Sequence, residues 1–172
     1  MGAYFQAALP ARGVMYDTHA MNNGLKLMEH SYMGNDYVLG IMELLNNNAQ
    51  QLVWLCDYHK ADKNCKYTWD EMDDLSVKLE TTLESNNYFI INHTKKVFID
   101  MRKLDEEYNS IGMEWKIHPL PILCNSDEQS MGGGDFHKED SRRATWCMDE
   151  IEVALLVPTE FLDVSQDCMF GE

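Results

Sequence analysis

No stretch of this chain strings together the roughly 20 apolar residues that a membrane-spanning helix needs. Its opening, "MGAYFQAALPARG", has no basic region leading into a long apolar one. The expectation is a cytoplasmic protein that stays off the membrane. Lipidation is not expected either, because Gln6 stands where a myristoylation pattern calls for Ser or Thr. Positive charge is equally scarce: 14 Lys and Arg face 29 Asp and Glu, a formal net charge of -15. Such a field repels phosphates, which disfavours direct DNA or RNA binding, and it attracts basic protein surfaces. The same acidity also serves solubility.

The motifs of catalysis and metal binding are missing too. Cys56, Cys65, Cys124, Cys147 and Cys168 form no C-x-x-C pair and are odd in number, which reads as reduced and mostly buried thiols. His30, His93, His118 and His137 sit in "EHS", "NHT", "IHP" and "FHK", without the H-x-H or H-E-x-x-H spacing of a zinc site. Ser31 lacks the G-x-S-x-G elbow of a nucleophile. Cys56 lies late in an apolar run, where a thiol is ordinarily inert. No cofactor or metal is expected, and binding is favoured over catalysis.

What is present is a foldable alternation of patterns. With 45% hydrophobic residues the chain can bury a core, and 172 residues suit one compact domain, residues 1–172. "AYFQAAL" and "VMYDTH" flank the turn-forming "PARG" and predict a hairpin. Val38, Ile41, Met42 and Leu45 recur at helical spacing behind Asn35, predicting a helix that ends at the Asn46–Asn48 run. "QLVWLCDYH" reads as a buried central strand. Thr68 and Glu71 form a capping-box pattern ahead of Met72, Leu75, Leu79 and Leu83, which predicts a second helix. "YFIINHTKKVFIDM" predicts another hairpin. "MEWKIHPLPIL" predicts a strand stopped at an edge or turn by Pro119 and Pro121. "WCMDEIEVALLV" and "EFLDVS" supply final strands. The class expected is α+β, a largely antiparallel sheet with two main helices.

Two sets of residues could carry function. Asp70, Glu71, Asp73 and Asp74, with Asp149, Glu150 and Glu152, could present carboxylates to a basic partner. Alternatively Glu29, His30, Asn35, Asp57, His93, His118 and Asp135 could converge at loop ends into the pocket of a small hydrolase or ligand-binding enzyme. Gly132, Gly133 and Gly134 could expose N–H groups to an anion, though Asp135 and acidic flanks argue for a turn. Trp54, Trp69, Trp115 and Trp146 read as core anchors.

Several phrases carry a resemblance: "KLMEHSYMGN", "VWLCDY", "NHTKK", "IHPLPIL" and "GGGD", with Trp146 beyond. From Lys26 onward the chain resembles a group of uncharacterised proteins of bacteria and mobile elements in which similar phrases occur in this order. Those relatives tend to read "GDY" where this chain has Cys56-Asp57-Tyr58. The resemblance brings no catalytic residue with it. In size and acidity the chain is also similar to inhibitors of host defence from mobile elements of Firmicutes, including anti-CRISPR proteins of phage that block Cas9. That similarity implies an acidic binder that occupies a basic nucleic-acid channel or a PAM-reading surface of Cas9 or another nuclease.

Overall fold

The computed structural model describes residues 2–126, 136 and 140–171. Its strands are β1 (Phe5–Leu9), β2 (Val14–Tyr16), β3 (Gln50–Gln51), β4 (Val53–Cys56), β5 (Asp73–Leu75), β6 (Phe89–Asn92), β7 (Val97–Asp100), β8 (Glu150–Ala154) and β9 (Leu162–Asp163). Its α-helices are α1 (Leu27–His30), α2 (Asp36–Leu44), α3 (Met101–Ser110) and α4 (Pro119–Leu123). Two sheets result, ordered β4-β1-β2-β5 and β3-β8-β6-β7-β9. Most pairings are antiparallel, with parallel exceptions at β2/β5 and β7/β9, so the fold is α+β as expected.

The opening hairpin forms where the sequence places it. Pro10–Arg12 makes a 3-10 turn, and Gly13 closes it at φ 69°, a left-handed angle that glycine adopts without a Cβ penalty. The "NHTKK" hairpin is also present, with Ile90 opposite Ile99 and Ile91 opposite Phe98. In α2 the Asn35 side chain accepts from the Tyr37 and Val38 N–H groups, satisfying donors that a first helical turn leaves free. The helix stops before the asparagine run, in which Asn47 takes a left-handed φ of 53°.

Strand β4 is fully buried because its two faces feed two cores. Trp54 and Cys56 join the main cluster, while Val53 and Leu55 enter a smaller one on the opposite face of the first sheet. It is, however, outermost in the sheet order rather than central. The 124–126 segment lies along its free side: the Trp54 N–H donates to the Cys124 carbonyl at 2.8 Å and the Ser126 N–H to the Trp54 carbonyl at 3.0 Å. A covering segment thus does the work of a neighbouring strand.

Three expectations are corrected. The stripe from Met72 to Leu83 is not a helix. The Thr68–Glu71 box does form, with the Thr68 N–H donating to Glu71 Oε2 at 2.8 Å, but it closes only a 3-10 turn at Trp69–Glu71. The chain then extends to pair β5 with β2, Met15 facing Asp74. Aspartate, serine, valine and threonine are weak helix formers, and strand pairing prevails over the leucine spacing. The second main helix is α3, where the Asp100 side chain caps the Arg102 and Lys103 N–H groups and Met101, Leu104 and Tyr108 are buried. Finally, Pro119 and Pro121 open α4 instead of ending a strand, because a first turn needs no N–H there and the His118 ring caps Leu120 at 3.2 Å.

Candidate binding surface

Strand β5 closes one edge of the first sheet, and the acids predicted at Asp70, Glu71, Asp73 and Asp74 run into it and along it, all four exposed. The local order has clear causes. Glu71 is pinned by its cap to Thr68, the Asp73 N–H donates to the Gly13 carbonyl at 2.8 Å, and Asp74 Oδ1 accepts from Gln6 Nε2 at 3.1 Å. Among the described residues, no Lys, Arg or His lies within ion-pair distance of any of the four carboxylates. Partial burial, countered by the Gln6 bond and reinforced by Asp17, raises the Asp74 pKa. The strip therefore presents negative charge along one sheet edge, from Asp70 and Glu71 in the 3-10 turn and from Asp73 and Asp74 on β5.

The second acidic set behaves differently. Asp149 is buried: its Oδ2 accepts from Asn92 Nδ2 at 2.7 Å and from Lys95 Nζ at 2.7 Å. From there it ties the "NHTKK" turn to the start of β8. Glu152 Oε1 meets His93 Nε2 at 2.8 Å, with Phe161 edge-on to the imidazole. Glu150 remains exposed, its N–H donating to Thr94 Oγ1 at 2.9 Å. This set belongs to β8 in the second sheet, the strip to β5 in the first.

The described members of the alternative pocket each hold a hydrogen bond within the fold. His30 and His118 stand on adjoining segments, since the His118 N–H donates to the Ser31 carbonyl at 2.9 Å, but both rings are sealed. His30 lies between Trp54 Nε1 and the Gly24 carbonyl, and burial lowers its pKa to about 4. His118 lies between Tyr88 and the Leu120 N–H, with its pKa lowered by burial to about 3. Glu29 caps the Lys26 N–H, Asn35 caps α2, and Asp57 accepts from the Tyr4 N–H. His93 stands on the second sheet beside Glu152. Asp135, the glycine triplet and His137 lie outside the described residues.

Sequence reasoning missed a cavity of about 220 Å³ whose lining includes Lys95, Arg142, Trp146 and Cys168. It is smaller than ordinary ligand pockets, and its cations serve the fold: Lys95 pairs with Asp149, and Arg142 pairs with Asp140 and holds two carbonyls. Among the described residues, no three His, Cys, Asp or Glu side chains are grouped to hold a metal ion, and no helix is long and apolar enough to cross a membrane. Comparison with family models, with curated proteins and with solved structures returned no match.

Proposed function

We propose that this chain is a cytoplasmic acidic binding protein whose β5 strip docks on a basic protein surface, specifically that of a nucleic-acid-dependent defence nuclease such as Cas9. One observation carries the reading: Asp70, Glu71, Asp73 and Asp74 are exposed on or beside an outermost strand, with no Lys, Arg or His among the described residues within ion-pair distance. A capped turn running into a paired edge strand holds the backbone that carries the four carboxylates, so presenting them costs little conformational entropy. Arginines that grip phosphates or guanine edges accept carboxylates with the same fork geometry, so such a strip competes for them. The net charge of -15 speeds its approach to a basic channel. The reading is that of an inhibitor of the anti-CRISPR type, acting by occupation and not by chemistry.

The deciding experiment is co-purification of the tagged chain with Cas9 and guide RNA, with DNA cleavage assayed on the same sample. Stoichiometric association that weakens as salt rises, together with lost cleavage, supports the reading. Absence of both, or binding that ignores salt, refutes it. The variant D70N/E71Q/D73N/D74N should lose association while remaining folded.

A further inference from the structure

On the face of the first sheet away from the main core, Val53, Leu55 and Met15 pack with Cys65, while Cys147 and Met148 close the edge of the cluster. Cys65 is a member of this cluster and Cys147 packs against it, although one belongs to the loop after β4 and the other to the segment leading into β8. Both are free, Cys65 buried and Cys147 half-buried.

The fold holds each in place. The Cys65 N–H donates to Asp62 Oδ1 at 2.8 Å, and its carbonyl meets the Asp62 N–H at 3.0 Å and the His59 ring at 2.8 Å. The Cys147 N–H donates to the Ala144 carbonyl at 3.2 Å, and its neighbours Trp146 and Met148 donate to Leu123 and Leu52 at 2.8 and 3.1 Å. Ala144 and Met148 sit at φ 64° and 67°, angles that side chains bearing a Cβ adopt reluctantly. Tertiary bonds thus impose the turn that delivers Cys147 to Cys65. The neighbourhood makes the pair unequal: the approach of Cys147 lowers the Cys65 pKa, aided by Tyr67 and His59, while Cys65 and burial raise that of Cys147. Burial raises two further thiols, Cys124 and Cys168, away from the thiolate form.

We propose that Cys65 and Cys147 form a redox site, a dithiol that hydrogen peroxide converts to an intramolecular disulfide and that a thiol reductant restores. The Cys65 sulfur attacks one peroxide oxygen and the O–O bond breaks; sulfur loses two electrons, hydroxide leaves and takes up the thiol's proton as water, and Cys65 becomes a sulfenic acid. The Cys147 sulfur then attacks the Cys65 sulfur. The S–S bond forms, the S–O bond breaks, and hydroxide departs with the Cys147 proton as a second water. Two thiols and one peroxide give one disulfide and two waters. The bond ties the loop that feeds the acidic strip to the 141–148 turn, and its chemistry does not depend on the binding role.

The test uses the full reduced chain, treated with hydrogen peroxide, its remaining thiols blocked with N-ethylmaleimide, then cleaved with trypsin and a Glu-specific protease. That digestion separates Cys147 from Cys168 and predicts one linked pair, Asn64–Lys66 joined to Ala144–Glu150, with the other three cysteines alkylated. Dithiothreitol should abolish the link. In Cys147→Ser the link should vanish and Cys65 should react with dimedone as a sulfenic acid. A different pair joined first, or both peptides recovered fully alkylated under peroxide that oxidises free glutathione, overturns the proposal. The mapping is made on the unaltered chain, so it does not depend on a variant folding.

Discussion

The indole N–H of Trp54 donates to Nε2 of His30 at 2.9 Å, inside a buried cluster that Tyr37 completes edge-on to both rings. An indole nitrogen can only donate, so Nε2 carries no proton. The imidazole proton therefore sits on Nδ1 and is given to the Gly24 carbonyl at 3.0 Å. His118 is held in the opposite tautomer: its Nδ1 accepts from the Leu120 N–H, leaving Nε2–H to face the Tyr88 hydroxyl at 3.1 Å. Both rings are neutral structural parts, which explains why their sequence neighbourhoods look site-like.

Acid should therefore unfold this protein early. Burial lowers the folded-state pKa of His30 to about 4 and of His118 to about 3, against a value near 6.5 when unfolded. Their contribution is complete above the unfolded value and is lost as pH falls below it, because only the unfolded chain takes up the protons. Linkage puts the loss at roughly 3 kcal/mol for each ring by about pH 4. Urea midpoints by circular dichroism should fall steeply between about pH 7 and about pH 4.5. His118→Asn, which keeps an acceptor for Leu120 but cannot titrate, should flatten that slope. Equal midpoints at both pH values would contradict the assignment.

Gly40, inside α2, is required by the segment that crosses it. A Cβ built there would stand 2.6 Å from the Leu79 Cβ. Glu43 holds the same segment further on, its carboxylate accepting from Thr82 Oγ1 at 2.7 Å and the Leu83 N–H at 3.1 Å. In a free helix Gly40→Ala would be worth about 1 kcal/mol of stability; here overpacking should reverse the sign and cost roughly 1–3 kcal/mol. Proteolysis should then cut within residues 76–85 first. Gly40→Ala with Leu79→Gly, which removes the opposing Cβ, should cost less than the two single changes added together, and simple additivity would refute the contact.

The same contact marks how far the sequence can be read. Local signals that needed nothing distant were legible: the Gly13 turn, the Asn35 cap and the Ile90/Ile99 hairpin. The Met72–Leu83 stripe misled because its side chains serve different masters, Met72 in the smaller cluster and Leu79 against Gly40, a division only tertiary pairing creates. α3 was legible in principle, from the Asp100 cap and the 101, 104, 108 spacing. The acids were visible, but not which of them Lys95 neutralises. The approach of Cys65 and Cys147 had no sequence signal, since the strained 141–148 turn and packing on the first sheet bring those thiols together.

Arg142 should prove irreplaceable by lysine. Its Nη1 donates to the Asp167 and Met169 carbonyls at 2.6 and 2.8 Å, its Nε donates to Asp140 at 2.9 Å, and the guanidinium stacks 4.2 Å from the Phe170 ring centre. A point-charge ammonium cannot make the fork and the stack at once. Arg142→Lys should cost roughly 1–3 kcal/mol and raise amide exchange across residues 165–171. Wild-type protection there in the variant would show that the clamp is dispensable.

The two acidic sets should separate into structural and recognition groups when each is neutralised. Asp149 satisfies Asn92 and Lys95 from a buried position, so Asp149→Ala strands an amide and an ammonium and should cost roughly 1–3 kcal/mol. The strip is bonded mostly to its own turn and to Gln6, and its charges repel one another; D70N/E71Q/D73N/D74N should leave stability within about 0.5 kcal/mol. Binding should divide the other way, with the strip variant losing about tenfold or more in affinity for a basic protein while Asp149→Asn retains it. Paired measurements of urea midpoint and salt-dependent affinity check both halves. A strip variant as destabilised as Asp149→Ala would make those carboxylates parts of the fold, and the docking surface would have to be sought elsewhere.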